Sequence, residues 1–266
     1  MSGCCFFSKA YNLNHAGIQL FLPEQWINKL STRIIAISGE VRKILVEWEK
    51  VPEDKIAYIP HGFLLEEFEQ VDKKLVKSLA EKYKLQQGWP IIGVVSRFTE
   101  WKGVQYIVPA FRELLKQYPD AVLLLFNAGG DYEKEVTSLL SEIPANSYRT
   151  IPFEANISAA YHLMNVCVHT PIDEHSEAFG QIYIEALAAG IPMVCTSSGI
   201  ANDILEHKKN AWLVPYKEIQ PIIEGIKTIL SDPLLQQALQ KNGKETARGF
   251  SLKNMIDKLN HLYETA

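Results

Sequence analysis

The feature that most constrains the fold is the alternation of short apolar runs with longer amphipathic segments along most of the chain. Most of the short runs are continuously apolar, as strands of a parallel sheet buried on both faces tend to be. The strand candidates are residues 34–37, 55–59, 91–96, 121–126, 148–151, 166–169, 193–195 and 212–214. The pattern therefore predicts a parallel sheet rather than a bundle or an antiparallel sandwich.

Segments with helical patterning lie between the strand candidates. The helix candidates are residues 40–50, 73–83, 104–118, 132–140, 158–164 and 180–189. Gly190 and Pro192 end the last of these, as a C-terminal glycine and a nearby proline do. The alternation predicts βαβ units with right-handed crossovers, and hence an α/β fold with a Rossmann-like, doubly wound parallel sheet.

Composition narrows the class of partner. The 266 residues are 47% hydrophobic and 22% charged, which predicts a packed core. The formal net charge is -4 and no long basic run occurs, so nucleic acid is excluded as the default partner. An acidic membrane surface is not the default partner either, although peripheral contact through a local patch at the inner face of a membrane stays open.

The expected compartment is the cytoplasm. Cys4, Cys5, Cys167 and Cys195 form no C-x-x-C pair, which favours reduced thiols in a cytosolic protein. No apolar run approaches the roughly 20 residues of a membrane span, and residues 1–7 lack the basic start of a signal peptide.

Three parts of the chain are expected. The sheet formed from about residue 90 to 215 is complete enough to be a doubly wound domain, which we place at residues 61–250. Residues 1–60 hold only one or two strand candidates, too few for a second such domain. Residues 251–266 are expected to form a C-terminal helix, predicted over residues 252–263, that packs back toward the N-terminal segment.

Two loops after predicted strands carry candidate binding residues, because open parallel sheets bind ligands at the carboxyl ends of their strands. Arg97 and Lys102 follow the run at 91–96, and such cations suit phosphate oxygens. Gly129 and Gly130 follow the run at 121–126 and allow a ligand close to the backbone. Solvated surface cations and an ordinary strand-to-helix turn stay open as alternatives.

The segment from Glu177 to Pro192 is the most informative about function. Gly180 stands at a predicted helix start, which attracts phosphate, and the flanking carboxylates of Glu177 and Glu185 can hold hydroxyls. A fully helical spacing between the two acids would span about 12 Å, which favours two separate jobs over one acid–base couple. An acid near the helix start and an exposed helical acid remain the structural alternative.

Other motifs are weaker. His61 is expected to serve a turn rather than catalysis, and His169 and His175 are expected to be hydrogen-bonded or solvated, with ligand contact by either left open as the alternative. No metal-ligand spacing, D-x-D pair, G-x-G-x-x-G fingerprint or P-loop occurs, so no metal site is predicted.

The order of these motifs resembles the C-terminal half of the family-4 retaining glycosyltransferases (glycosyl transferases group 1), which have the GT-B fold. The resemblance covers roughly residues 30 to 260. It rests on these pieces, taken in order: Ile59-Pro60-His61-Gly62, Ser96-Arg97, Lys102-Gly103, Ala128-Gly129-Gly130, Glu177-Ala178-Phe179-Gly180, Glu185-Ala186, Gly190-Ile191-Pro192 and Asn210-Ala211-Trp212-Leu213-Val214-Pro215.

The resemblance implies a role for each matched position. Arg97 and Lys102 would hold the diphosphate of a nucleotide-sugar donor and, with Glu177 at the donor-sugar hydroxyls, form the catalytic set. Glu185 would bind the ribose hydroxyls. The remaining donor contacts would come from the backbone of Phe179 and Gly180 and from the neighbouring Ala178, from the loop at Gly129, and from Phe153 beside the base.

The implied reaction is metal-independent transfer of a sugar, with retention, from a UDP- or GDP-linked donor to a glycan or lipid-linked acceptor. No cofactor is implied.

Two features depart from the family pattern. Residues 173–175 lengthen the loop before Glu177, and Asn202 stands where the family often has proline or glutamate.

A GT-B enzyme binds its acceptor mainly through a first domain, of which residues 1–60 resemble a remnant. Residues 33–38 look like its last strand, residues 23–30 like the helix before it, and everything earlier is expected to be missing. We therefore expect a donor half-site that lacks most of the acceptor half, so that the isolated chain is inactive or is completed by a partner chain or homodimer. A non-catalytic nucleotide-sugar-binding module and a different GT-B enzyme, such as an epimerase or phosphorylase, remain the alternatives.

Overall fold

The computed structural model describes residues 6–8, 21–85 and 88–265, with the side chains of 6–8 and 21–25 left undescribed. The expectations about Cys4, Cys5 and the start of the chain lie outside these residues. Cys167 and Cys195 are buried free thiols.

The larger of two sheets has six parallel strands in the order β6-β5-β4-β7-β8-β9. Its strands are β4 (Ile91–Val95), β5 (Val122–Phe126), β6 (Tyr148–Ile151), β7 (Val166–His169), β8 (Met193–Cys195) and β9 (Trp212–Leu213). The order reverses between β4 and β7, as in a doubly wound sheet. The predicted fold class is confirmed, and β6, β7 and β8 have the predicted bounds.

Helices cover both faces of this sheet, and each face has its own apolar core. The helices of this part are α3 (Glu66–Glu69), α4 (Lys73–Lys82), α5 (Val104–Leu114), α6 (Glu133–Leu140), α7 (Ile157–Tyr161), α8 (Gln181–Ala189), α9 (Ala201–Ile204), α10 (Ile219–Ser231) and α11 (Pro233–Ala247). α5, α6 and α10 lie on one face, and α4, α7 and α8 on the other; α11 packs against α8 and α10 and contributes to both cores. The sequence interpretation did not single out α3, α9, α10 or α11.

The smaller sheet comes before residue 60 and is also parallel, in the order β1-β2-β3. Its elements are β1 (Phe6–Ser8), α1 (Phe21–Leu30), β2 (Arg33–Ala36), α2 (Gly39–Glu47) and β3 (Ile56–Tyr58). The expectation of one or two strands was wrong, and so was the expectation that everything before the first helix is missing. β1 has only three residues, too few to be recognised from periodicity. It forms a strand because it pairs with β2.

Direct hydrogen bonds join the part of the chain around the smaller sheet to the helix α9 and the loop before α8. The Asp203 carboxylate accepts from the Gly39 backbone N–H at 2.7 Å and from the Tyr58 hydroxyl at 2.9 Å. Ser38 accepts the Val41 N–H as the N-cap of α2 and donates to the Ala178 carbonyl at 2.6 Å. The first residues of α2 therefore lie beside the loop that precedes α8.

The last helix, α12 (Leu252–Thr265), returns to the segment that follows β3. Phe63 pairs with Ser251 in a parallel bridge, and the Gly62 N–H lies 3.1 Å from the Met255 sulfur. Leu262 is buried, whereas Ile256 and Tyr263 stay exposed, so α12 buries part of its apolar surface here. None of the helices in the described part of the chain is both long and apolar enough to cross a membrane.

Candidate functional site

A cleft of about 670 Å³ lies at the carboxyl end of the larger sheet, where the strand order reverses. Loops that follow β4, β5, β6 and β7 meet the start of α8 there. The lining residues are Val95, Ser96, Arg97, Lys102, Asn127, Ala128, Gly129, Pro152, His169, Glu177, Gly180, Gln181, Ile182 and Glu185. Ligands of doubly wound sheets bind at such a point, because the loops diverge and leave a crevice.

The loop after β4 presents both predicted cations to the cleft. Arg97 is exposed, and its guanidinium has no side-chain partner within the described ranges. Lys102 closes a turn whose next residue, Gly103, has φ 72°. A Cβ at Gly103 would lie 1.7 Å from the Thr170 carbonyl oxygen, so only glycine lets this loop pack against the end of β7.

Lys102, Glu177 and His169 form one charged cluster, in which Glu177 and His169 are buried and Lys102 is partly exposed. The Lys102 Nζ lies 2.5 Å from Oε1 of Glu177, and Nε2 of His169 lies 2.9 Å from the same oxygen. Burial opposes ionisation of Glu177, but the hydrogen bond from His169 and the charge of Lys102 outweigh it and hold its pKa below the usual range. Burial lowers the pKa of His169, so we take its imidazole as neutral beside an ionised Glu177.

The start of α8 supplies unpaired backbone donors. Gly180 precedes the helix with φ 83°, and no side chain caps that end. Gly180, Gln181 and Ile182 line the cleft. The first N–H groups of a helix lack intrahelical partners and carry partial positive charge, so this end favours an anion.

Glu185 lies within α8 and has different neighbours from Glu177. Its Oε2 accepts from the Tyr161 hydroxyl at 2.8 Å, and burial raises its pKa. Because α8 begins at Gln181, close to the predicted start at Gly180, Glu177 stands in the preceding loop, and the fully helical spacing does not apply. Separate hydrogen-bond partners are consistent with two separate roles for the two carboxylates.

Three of the predicted contact residues do not line the cleft. The Phe153 side chain is 77% exposed, and only its neighbour Pro152 reaches the lining. Ala178 uses its carbonyl to accept from Ser38. The Phe179 ring is buried 4.8 Å from the His61 ring, centroid to centroid, so this side chain is part of the core.

Glu154, next to Phe153, does not line the cleft and has a structural role instead. Its carboxylate accepts from Lys82 at 2.6 Å, from the Tyr83 hydroxyl and from the Asn156 backbone N–H at 2.9 Å. Burial raises the pKa of Glu154, but these hydrogen bonds outweigh that and lower it to about 2. The interaction fixes α4 to the turn that follows β6.

The contact of His169 with Glu177 and that of Tyr161 with Glu185 were not predicted from the sequence. His169 is hydrogen-bonded, as expected, but its partner is the central carboxylate of the cleft. Its position as the last residue of a predicted strand was a usable signal, because parallel strands end at the ligand-binding edge. Across the described residues, no group of three His, Cys, Asp or Glu side chains could hold a metal ion.

Comparison with known proteins places this chain in a family. The chain is 26% identical over 261 residues to the capsular polysaccharide biosynthesis glycosyltransferase CapM of Staphylococcus aureus, covering 92% of this chain and 65% of that protein. It is 25% identical over 205 residues to a GDP-mannose-dependent mannosyltransferase of Mycolicibacterium smegmatis, covering 74% of this chain and 52% of that protein. The chain thus spans less than two thirds of the length of these relatives.

Solved structures agree on the fold. A glycosyltransferase from Rickettsia africae ESF-5 superposes with a TM-score of 0.84 at 23% identity, covering 98% of this chain and 70% of that one. Anabaena HepE in complex with UDP and glucose superposes with a TM-score of 0.85 at 20% identity, with the same coverage. The described sheets match GT-B glycosyltransferases. The model of the family described as glycosyl transferases group 1 matches residues 76–246, well over half of the sequence, and the chain belongs to that family.

Proposed function

We propose that this chain provides the donor-binding half of a retaining, metal-independent glycosyltransferase. It would transfer a sugar from a UDP- or GDP-linked donor to a hydroxyl of a glycan or lipid-linked acceptor. One observation carries the proposal: two cations, the uncapped start of α8 and two separately held glutamates line a single cleft. Family membership supports glycosyl transfer as the chemistry.

The diphosphate of the donor is assigned to Arg97, Lys102 and the start of α8. Arg97 has no side-chain partner among the described residues, so its planar fork is free to bind phosphate oxygens. Lys102 and the helix add positive charge where the leaving diphosphate gains negative charge. These fixed charges would take the role that a divalent cation plays in other transferases.

The two carboxylates are assigned to hydroxyl groups. Glu177, kept ionised by its neighbours, would accept hydrogen bonds from the donor sugar. Glu185, anchored by Tyr161, would accept from the ribose. The nucleotide is supported by HepE, which has been solved with UDP-glucose, and by the mannosyltransferase relative, whose name specifies GDP-mannose.

The proposed reaction needs no enzyme nucleophile. The bond from the anomeric carbon to the diphosphate oxygen breaks, and the acceptor oxygen bonds to that carbon on the same face. The acceptor proton passes to the departing phosphate oxygen. The capsular polysaccharide relative supports a glycan acceptor.

The acceptor half is proposed to be incomplete in this chain. Among the described residues, only the three-stranded sheet and its helices correspond to the acceptor-binding domain. Turnover is then proposed to need further acceptor-binding surface, such as that of a partner chain or a second copy.

Calorimetry tests the donor site. UDP, GDP and ADP are titrated into the wild type with and without EDTA, and into Arg97→Ala and Glu185→Ala. Arg112→Ala is the matched control, because Arg112 pairs with Glu142 on the surface and does not line the cleft. We expect binding that resists EDTA, is weakened in both cleft variants and is unchanged in the control. If the folded protein binds none of the three nucleotides, the proposal is wrong.

Turnover is tested separately. Donor hydrolysis or transfer by the chain alone would contradict the incomplete-enzyme proposal while leaving the donor site intact. If a completed enzyme yields a product with inverted anomeric configuration, measured by NMR coupling constants, the retaining assignment is refuted.

A further inference from the structure

We infer that His169 is a positioning residue that holds Glu177 in place for the donor sugar while Lys102 turns to the diphosphate. The inference rests on the proposed function, because it assumes that a nucleotide sugar occupies this cleft. It adds a residue to which the sequence pattern assigns no role in sugar binding.

The geometry fixes how His169 acts. Its side chain is 1% exposed, and its Nε2 lies 2.9 Å from Oε1 of Glu177. An ionised carboxylate can only accept, so Nε2 must carry the proton. The Nδ1 atom is buried and has no partner among the described residues, so a second proton there would be left unpaired.

The imidazole plane is itself held by its neighbours. The Tyr183 ring lies edge-to-face with His169 at 5.1 Å between centroids, and both side chains are buried. The Tyr183 hydroxyl donates to the Thr196 carbonyl at 2.9 Å, which fixes that ring in turn. His169 therefore has little freedom to follow a moving carboxylate, and it holds Glu177 to one position.

Lys102 and His169 share one oxygen of Glu177, and this is why the histidine is needed. Both donate to Oε1, whereas Oε2 has no hydrogen bond within the described part of the chain. A diphosphate in the cleft competes with Glu177 for Lys102, because phosphate carries more charge than a carboxylate. Once Lys102 moves to the phosphate, His169 remains as the side-chain donor that keeps Glu177 fixed, with Oε2 left for a sugar hydroxyl.

Two substitutions of His169 separate the effect of its hydrogen-bond donor from the effect of its ring volume. His169→Phe keeps a planar ring beside Tyr183 and removes the donor, and His169→Gln retains an N–H at the corresponding place. Affinities are measured by calorimetry for UDP against UDP-glucose and for GDP against GDP-mannose. The wild type is expected to bind one sugar-linked form more tightly than its free diphosphate.

The expected result is a selective loss. His169→Phe should reduce affinity for the sugar-linked form about tenfold to a hundredfold, the range for a lost hydrogen bond to a charged group. Affinity for the free diphosphate should fall by a clearly smaller factor, since Arg97, the start of α8 and Glu185 are intact and no sugar hydroxyl is held by Glu177. His169→Gln should recover most of the sugar-linked affinity.

The opposite results are equally clear. A loss of the same size for free and sugar-linked nucleotides would indicate a merely structural histidine and overturn the inference. A wild type that binds sugar-linked and free nucleotides equally overturns it too, while leaving the diphosphate site standing. Absence of all nucleotide binding instead refutes the proposed function.

A ligand-free measurement adds an independent check. Long-range ¹H–¹⁵N spectra report which imidazole nitrogen is protonated. We expect the Nε2–H tautomer at neutral pH. The imidazole ¹⁵N chemical shifts should change in Glu177→Gln. An Nδ1–H tautomer or a charged imidazole at pH 7 would overturn the assignment.

Discussion

Replacing Gly180 with alanine tests whether the start of α8 is built as the structure indicates. The residue has φ 83°, where an alanine costs about 1–2 kcal/mol relative to its preferred backbone. An added Cβ would lie 2.6 Å from the Tyr183 ring, which is fully buried and held by its hydroxyl. The ring cannot give way freely, so overpacking adds about 1–3 kcal/mol.

The sum of the two terms predicts a loss of about 2–5 kcal/mol in the free energy of unfolding. For a domain of this size that corresponds to a melting temperature lower by about 4–20 °C. UDP affinity should fall by at least about tenfold as well, because a shifted first turn moves the backbone donors from the diphosphate.

Differential scanning calorimetry and UDP titration measure the two effects. Gly249→Ala is the matched control, since Gly249 has ordinary backbone angles and nothing lies within 4 Å of an added Cβ. The control should match the wild type in both assays. If Gly180→Ala melts within about 1 °C of the wild type and binds UDP normally, this reasoning about the helix start is refuted.

Three further predictions follow from single side chains. Arg97→Ala should weaken UDP binding about tenfold to a hundredfold in calorimetry without changing the melting temperature, because Arg97 is exposed and without a described side-chain partner; a lower melting temperature would contradict that reading. Glu154→Ala should cost about 1–3 kcal/mol in urea unfolding by leaving the buried Tyr83 hydroxyl unpaired, while UDP affinity stays the same; weakened UDP binding would place Glu154 in the site instead. The wild type should lose stability as the pH falls below about 6.5, because burial lowers the pKa of His169 in the folded state and the unfolded chain therefore binds the proton first. The urea midpoint between about pH 5 and 6.5 should vary less in His169→Phe than in the wild type, and equal slopes would show that another group dominates.

Much of the larger sheet could be predicted because its strands are buried on both faces. All residues of 166–169 are buried, so the bounds of the run mark the bounds of the strand, and β7 begins and ends where the sequence indicates. The helices α10 and α11 had usable signals as well. Ile222, Ile226 and Ile229 give α10 an apolar face, and Asp232 caps α11 with Pro233 in its first turn.

The smaller sheet was harder to predict for a physical reason. β1 has three residues and depends on pairing with β2, which is separated from it by 24 positions. Local patterning carries no information about such a partner.

The site was predictable at the level of loops but not of hydrogen bonds. Arg97, Lys102, Glu177 and Glu185 were placed together because parallel strands end on one edge. The partnership of Lys102 and His169 at Glu177 depends on β4 and β7 being neighbours, a consequence of the strand order that no local motif encodes.

A crystal structure of the chain with UDP would show directly where the diphosphate binds. We expect diphosphate oxygens within about 3 Å of the Arg97 guanidinium and of the first N–H groups of α8, with the ribose at Glu185. A nucleotide bound elsewhere, or a diphosphate that contacts neither Arg97 nor the start of α8, would contradict it.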